Sequence, residues 1–327
     1  MAMSRRPGER EQLALFRALP AEDMALRDAQ DLMAYPFFSL AKSRRVVPIR
    51  FEAGAVSLTV EGVPEHGIAT IWDADVLIWA ASQIVQARDE GRPTSRLMAA
   101  TPYEILRFTQ RGTGQTEYLA LRASLDRLQS TTVQTSIRQA GRRMHRFSWI
   151  NEWRDCVRPD GRSAGIELIL PDWFYSGVID NALVLTLDRT YFQLTGGIER
   201  WLYRLVRKHG GRQRSGWRFE LRYLHAKSGS LQRYRDFALH VRALAERQSL
   251  PGYRLVIERI GTADWLAFRR DDAACLSTGP VEQAVDGVGM GSGDHRHEAR
   301  EIGGAALGRS PAPNPLEPAR DKGLGLP

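Results

Sequence analysis

The apolar positions between residues 228 and 248 recur three and four residues apart, the spacing of a helix packed on a core. This stripe comprises Leu231, Tyr234, Phe237, Ala238, Val241, Leu244 and Ala245. The basic positions around the rest of the helix are Arg233, Arg235, His240, Arg242 and Arg247. The pattern predicts an amphipathic helix with a basic solvent face, following a turn at residues 227–230. A DNA-recognition helix has this pattern, and so does an ordinary surface helix.

The first half of the chain has the pattern of a hairpin, three helices and a second hairpin. Val- and Ile-rich arms on either side of Gly54 predict the first hairpin, over residues 45–62. Thr101 and Glu104 have capping-box spacing, with Pro102 at the first helical position. The predicted helices cover residues 72–88, 102–108 and 115–129, and the strands of the second hairpin cover 132–138 and 145–153.

The second half repeats this order of elements. Its pattern predicts a strand at 183–187, helices at 197–210 and 217–224, the basic helix, and a hairpin of 253–259 and 265–268. The fold class expected is therefore α+β, with two tandem winged-helix domains at residues 35–160 and 161–270. No letter-for-letter repeat links the two halves, so the duplication rests on element order alone.

The two ends of the chain are expected to lie outside these domains. Residues 1–34 read as a polar lead-in with some helical periodicity around Leu13 to Leu19. Residues 271–327 contain 10 Gly and 6 Pro. This composition predicts a disordered C-terminal tail.

Basic charge is concentrated in one part of the sequence. The net charge is +8, but residues 201–270 hold 16 Lys or Arg against 5 Asp or Glu, so this segment carries +11 and the remainder −3. Such clustering favours a polyanionic partner such as nucleic acid over a purely solubilising role for the charge.

Several classes of protein are disfavoured by missing patterns. No stretch approaches the roughly 18 apolar residues of a membrane helix, and no apolar segment follows the basic N-terminus, so a cytoplasmic protein without membrane contact is expected. Cys156 and Cys275 lie far apart, which supports neither a disulfide framework nor a zinc site.

No enzyme signature is found, and neither a cofactor nor a metal is expected. The sequence lacks a Walker loop, since Lys42 and Lys227 each follow Ala rather than Gly. His295 and His297 lie in the tail without a third ligand. The paired acids Asp73 and Asp75 lie at a predicted helix cap, and Asp271 and Asp272 lie in the tail, so capping and solvation explain the two pairs at lower cost than metal binding.

Several strings of residues carry a resemblance to a known family. They include YPFFSLAK at 35–42, GIATIWD at 67–73, RGTG at 111–114 and KSGS at 227–230. In this order they resemble the replication initiator protein A family of bacterial plasmids, over about residues 35–259. The resemblance implies an initiator with paired winged helices that binds repeated double-stranded DNA sites at an origin and helps to open it. It also implies recruitment of host replication proteins, such as the helicase and the chromosomal initiator, and often repression of the protein's own promoter.

The candidate DNA-binding residues follow from this interpretation. In the second domain, base contacts are expected from Arg233, Arg235, His240, Arg242 and Arg247, and phosphate contacts from Lys227 and Ser228. Arg254 and Arg259 would belong to the wing. The first domain would contribute Arg122, Arg127, Arg142 and Arg143, or else form the interface of a homodimer.

Two other functions remain open at this point. Two linked winged helices fit a transcriptional regulator that never initiates replication. A basic face also fits an interaction protein that binds RNA or a protein partner.

Overall fold

The computed structural model describes residues 9–271, apart from 22, 141–142, 161–162 and 212–215. Arg142 and the expected tail from residue 272 onward therefore lie outside the described residues. The structure is of the mixed α+β class, as expected.

The first half contains helices α1–α5 and strands β1–β7. In chain order they are α1 (Glu9–Gln12), β1 (Leu15–Arg17), β2 (Leu26–Ala29), α2 (Gln30–Ala34), β3 (Ile49–Ala53), β4 (Val56–Gly62), α3 (Ala74–Asp89), β5 (Leu97–Ala100), α4 (Pro102–Phe108), α5 (Gln115–Ser130), β6 (Thr131–Thr135) and β7 (His145–Ser148). The predicted capping box is present, because Thr101 Oγ1 accepts from the Glu104 amide and Glu104 accepts from the Thr101 amide.

The second half contains helices α6–α9 and strands β8–β13. They are β8 (Glu152–Val157), β9 (Ser163–Ile169), α6 (Asp172–Ile179), β10 (Val184–Leu187), α7 (Gly197–Gly210), β11 (Trp217–Glu220), α8 (Leu221–Ser228), α9 (Tyr234–Arg247), β12 (Tyr253–Ile260) and β13 (Ala263–Arg270). Short 3₁₀ turns at Asn181–Leu183 and Arg189–Gln193 flank β10.

The strands form three sheets and one isolated pair. One antiparallel sheet has the order β3-β4-β6-β7, and a second has the order β11-β13-β12. A mixed sheet has the order β1-β5-β9-β8, in which β1 runs parallel to β5. Strands β2 and β10 pair antiparallel, which joins the beginning of the chain to its second half.

Several residues between Leu15 and Ala34 belong to the core, which corrects the expectation of a polar lead-in. Phe16, Leu26 and Met33 are buried, and the strands β1 and β2 pair with β5 and β10. Polar side chains of α3, which is buried along 13 of its 16 residues, bind one backbone amide after β1 and one within β2. Gln83 accepts from the Leu19 amide at 2.6 Å, and Ser82 accepts from the Arg27 amide at 2.8 Å. Gln83 and Ser82, two buried polar residues of α3, thereby hold the backbone at Leu19 and Arg27 against this helix.

Residues 217–224 also differ from their prediction as a short helix. The first four form β11, which pairs with β13 from Trp217 with Phe268 to Glu220 with Trp265. The helix α8 begins only at Leu221. The alternation of aromatic and charged residues from 217 to 220 fits a strand, and the tertiary pairing selects it over a helix.

Candidate nucleic-acid interface

Helices α8 and α9 and the β12–β13 hairpin pack as one unit. Gly229 ends α8 in the left-handed conformation, at φ 62°, and lets the chain turn into α9. Phe237, Val241 and Leu244 bury the inner side of α9. The Gln248 side chain accepts from the Leu255 amide at 2.9 Å and donates to the Leu255 carbonyl at 2.7 Å, which attaches the end of α9 to β12.

The outer face of α9 is basic and exposed to solvent. Arg233, Arg235, His240 and Arg247 are exposed, as predicted from their spacing. The helix begins at Tyr234 instead of near Ser228, so Leu231 precedes it and is 63% exposed instead of joining the core. Leu239 lies between the basic residues and is 65% exposed. The helix therefore presents several arginines around one apolar side chain.

Arg242 and Arg259 share a single carboxylate at the tip of the hairpin. Arg242 Nη2 lies 2.5 Å from Asp264 Oδ2, and Arg259 Nη1 lies 2.6 Å from Asp264 Oδ1. Hydrogen bonds from Arg259 and Arg242 hold the pKa of the Asp264 carboxyl below its usual range. This ion-pair cluster ties α9 to the hairpin and reduces the charge that the two arginines offer to a ligand.

Arg254 lies on the other side of the three-stranded sheet. Successive residues of a strand face opposite ways, so Arg254 points away from the core while Arg259 lies on the side of α9. Arg254 pairs in register with Arg269, and Arg218 lines the same shallow cleft. We call Arg218, Arg254 and Arg269 the outer sheet face. Recognising residues 217–220 as a strand would have allowed the alternation in 217–220 and 263–270 to place Arg218 and Arg269 on the same side of the sheet as Arg254.

Lys227 and Ser228 are buried, which corrects their expected position in an exposed turn. The Lys227 ammonium lies 4.9 Å from the ring centre of Tyr35 and 5.3 Å from that of Phe51. Burial, followed by repulsion from Lys208, lowers the pKa of Lys227 to about 8. Ser228 Oγ donates to the His225 carbonyl at 2.7 Å and is fully buried. Neither side chain has a solvent-exposed surface from which to contact a phosphate.

The candidates of the first half are held mainly by acidic residues. Arg122 pairs with Asp155 at 2.6 Å and lies over the Trp153 ring. Arg127 donates through Nε and Nη2 to Asp73, each at 2.7 Å. Arg143 is exposed. The arginines brought together on one solvent face are thus those of α9, and the first-half candidates do not join them in one cluster.

Asp73 and Asp75 are buried ion-pair partners, which corrects the interpretation that helix capping explains them. Asp73 is 2% exposed, and its side chain makes no capping bond to α3. Asp75 is 1% exposed and accepts from Arg200 Nη1 at 2.8 Å and from Arg111 Nη2 at 2.9 Å. A buried carboxylate requires such partners because desolvation of an unpaired charge is costly.

The fold is shared with solved two-domain structures. A selenomethionine crystal structure of domains 2 and 3 of RctB matches with a TM-score of 0.53 at 15% identity, covering 74% of this chain and 98% of that one. A second crystal structure of RctB domains 2 and 3 matches with a TM-score of 0.51 at 16% identity, covering 76% and 99%. At this identity the likeness establishes the fold alone.

Sequence comparison then gives the family. The family model described as replication initiator protein A matches residues 27–255. A relative from Wigglesworthia glossinidia brevipalpis, named "Putative replication protein", is 28% identical over 228 residues, which is 68% of this chain and 82% of the relative. Because the family model matches well over half of the chain, this protein belongs to the replication initiator protein A family. In the part of the chain that the structure describes, no helix is long and apolar enough to cross a membrane.

Proposed function

We propose that this protein initiates replication of a plasmid or similar element by binding repeated double-stranded DNA sites at an origin. The observation that carries the proposal is the exposed basic face of α9, formed by Arg233, Arg235 and Arg247. Family membership supports the replication role. In this proposal the protein acts by binding, without a catalytic step, and then helps to open the origin, recruits the host helicase and chromosomal initiator, and represses its own promoter.

The arrangement around α9 supports a winged helix as the binding unit. In this interpretation α7, α8 and α9 are its three helices, α9 enters the major groove, and the β12–β13 hairpin is the wing. Arg235 and Arg247 are twelve residues apart, or about 18 Å along a helix at 1.5 Å per residue, so they reach different base steps. We assign a second winged helix to residues 35–160, with α3, α4 and α5 as helices and β6–β7 as the wing.

The proposed contacts divide according to exposure. Arg233, Arg235, His240 and Arg247 contact bases or nearby phosphates, and Arg254 contacts the backbone from the outer sheet face. Arg242 and Arg259 add to this surface when Asp264 releases them. In the first half the proposed contacts are Arg142 and Arg143, whereas Arg122 and Arg127 serve their carboxylate partners. A homodimer formed through the first half is the alternative role for that half.

The direct test is binding to the DNA that flanks the gene. Footprinting is expected to show protected repeats, and the affinity is expected to fall with salt. If α9 and its hairpin neutralise about six phosphates, log K falls against log salt with a slope near −5, at roughly −0.9 per phosphate. Affinity that is unchanged between roughly 50 and 200 mM salt, or protection without any repeat, would refute the proposal.

A transcriptional regulator is the alternative function, and binding alone does not separate it from an initiator. A fragment carrying the flanking DNA and the gene is therefore tested for autonomous replication in cells. An initiator maintains the fragment, and the Arg235→Ala variant maintains it less well. A regulator represses the promoter of the gene but does not maintain the fragment.

A further inference from the structure

A basic cleft, lined mainly by residues of the first half and also by Phe192, Leu194, Thr195 and Arg200, is not used by the proposed duplex-binding surface. Its volume is about 580 Å³, and Lys42, Trp72, Asp73 and Arg111 lie in its wall. These four residues come from the strings at 35–42, 67–73 and 111–114 that carry the family resemblance. The fold therefore brings three separate sequence strings together around one concavity.

Two arginines in the cleft are fixed by buried carboxylates. Asp73 accepts from Arg127 through Nε and Nη2, and it also accepts from Ser124 Oγ at 2.6 Å and from the Thr70 amide at 2.7 Å. Asp75 accepts from Arg111 Nη2 at 2.9 Å. Because each carboxylate is itself held by several donors, the two guanidinium groups are oriented before any ligand arrives.

Arg111 and Arg127 each have N–H donors that the buried carboxylates do not use. Among the described residues, Arg127 Nη1 and Arg111 Nε and Nη1 have no hydrogen-bond partner, and none of these atoms is a buried unsatisfied group. The side chains of Arg111 and Arg127 are 20% and 28% exposed. They are therefore recessed in the wall of the cleft but remain accessible to a small group.

The rim adds positive charge and an aromatic wall. Five cations, Lys42, Arg44, Arg111, Arg127 and Arg200, line the cleft against the two carboxylates of Asp73 and Glu117. Lys42 and Arg44 are exposed, and the Lys42 ammonium lies 5.3 Å from the ring centre of Trp72. Counting the buried Asp75 beneath the wall, the net charge is still +2, so the cleft attracts an anion.

We propose that this cleft binds the phosphate group of a nucleotide. Arg127 Nη1 and Arg111 donate to the phosphate oxygens, Lys42 and Arg44 supply charge, and the Trp72 ring forms the wall beside the sugar or base. Phosphate suits fixed guanidinium donors better than a carboxylate does, since its three or four oxygens accept from several directions. A volume of about 580 Å³ is within the range of small-ligand sites. The nucleotide comes either from solution or from a single DNA strand.

The test uses the full chain with two probes and a matched control variant. Thymidine 5′-monophosphate and a short fluorescent oligothymidylate are titrated against wild type, the double variant Lys42→Ala with Arg44→Ala, and Arg50→Ala. Arg50 is exposed on β3 and is absent from the cleft wall. Loss of the two rim cations is expected to weaken binding about tenfold or more, and Arg50→Ala is expected to bind as wild type does.

Each outcome separates the source of the ligand or overturns the proposal. Binding of the monophosphate that is lost in the double variant indicates a free nucleotide, whereas binding of the oligothymidylate alone indicates single-stranded DNA. Inorganic phosphate is expected to compete with either probe on wild type, a measurement that needs no variant. Failure of both probes to bind, failure of phosphate to compete, or equal affinities for the double variant and Arg50→Ala would overturn the proposal.

The proposed cleft and the proposed duplex site are tested independently. The double variant is expected to keep its affinity for repeat DNA, because neither Lys42 nor Arg44 is among the proposed duplex contacts. Arg235→Ala is expected to keep its affinity for the nucleotide probe. A failure of duplex binding therefore leaves the cleft untouched, and a failure of nucleotide binding leaves the duplex site untouched.

Discussion

The arginines of α7 and those of α9 have opposite roles in the same half of the protein. Arg204 on α7 is 1% exposed and donates to the Asp28 carboxylate through Nε at 2.7 Å and Nη2 at 3.1 Å. Arg235 and Arg247 on α9 are exposed, and no ion pair joins them to any described residue. Arg204 therefore holds β2 against α7, while Arg235 and Arg247 are available to a ligand.

This contrast limits what can be inferred from a charge count. The excess of +11 in residues 201–270 includes Arg204, Lys227 and Arg242, which are respectively paired inside the core, enclosed by aromatic rings and bound to Asp264. The basic surface is therefore smaller than the sequence implies. The partner of each cation, more than the number of cations, decides which ones can contact a polyanion.

The largest effect on stability is expected from breaking the buried ion pair between Arg204 on α7 and Asp28 on β2. Arg204→Ala leaves the Asp28 carboxylate buried without its partner, so the free energy of unfolding should fall by about 3–5 kcal/mol. Arg235→Ala removes an exposed arginine from α9, so it should change the free energy of unfolding by less than about 0.5 kcal/mol. Urea denaturation of the two variants measures the contrast.

A double variant checks the cause of that loss. Arg204→Met combined with Asp28→Asn removes both charges, so it should be more stable than Arg204→Ala alone. If the double variant is the less stable of the two, the orphaned carboxylate is not the source of the destabilisation.

The second effect concerns Lys227, a buried cation to which no carboxylate is paired among the described residues. Burial lowers its pKa from the ordinary 10.5 to about 8, so between these pH values the unfolded chain binds more protons than the folded one. Stability from this group therefore rises with pH across that window, and the penalty is complete below pH 8. Lys227→Met should stabilise the protein at pH 7 by up to about 3 kcal/mol, less the lost contacts of the ammonium with the aromatic rings.

The pH dependence distinguishes this explanation from simple repacking. The difference in unfolding free energy between Lys227→Met and wild type should narrow as the pH is raised from 7 to 10. A difference that stays constant over this range would mean that the ammonium is not desolvated in the folded state. Duplex binding should be unchanged, because Lys227 does not reach the solvent face.

Much of the fold could be predicted from local patterns. The helices α3, α4, α5 and α7 and the hairpins β3–β4 and β12–β13 follow from apolar spacing, capping residues and turn glycines. The single strand expected over 145–153 is instead divided into β7 and β8, which belong to different sheets. Residues 15–17 and 217–220 could not be assigned this way, because three or four residues carry too little periodicity to separate strand from helix. Their state is decided by pairing with β5 and β13, which are distant in the sequence.

The candidate site was predicted less completely than the fold. Helical spacing was sufficient to place Arg233, Arg235 and Arg247 on the solvent side of α9. Helical spacing did not show that Arg242, unlike these three arginines, is paired, because its partner Asp264 lies in β13, beyond the next strand. Lys227 was misplaced because the rings of Tyr35 and Phe51, which enclose it, come from the first half of the chain.

The third effect tests base recognition by the free arginines of α9. Under the proposed function, Arg235→Ala should reduce discrimination between the repeat and a random duplex by about 1–3 kcal/mol at a defined base pair. Arg254→Ala on the outer sheet face is the matched control, and it should leave sequence preference unchanged. Competition binding with single-base variants of the repeat makes the measurement. If Arg235→Ala and Arg254→Ala discriminate equally well, α9 does not read the bases.

The smallest effect, on the affinity for random duplex DNA, is expected from replacing Asp264, whose carboxylate pairs with both Arg242 and Arg259. Asp264→Asn removes the charge that both guanidinium groups contact at 2.5 and 2.6 Å, so they become available to phosphate. Affinity for random duplex should rise several-fold, and the salt slope should steepen by about 1. Glu258→Gln is the matched control, because Glu258 lies on the opposite side of the sheet, 3.8 Å from Arg218. If the two variants steepen the salt slope equally, only the net charge of the protein matters. A steeper slope for Asp264→Asn alone would show that the Asp264 carboxylate keeps Arg242 and Arg259 from contacting phosphate.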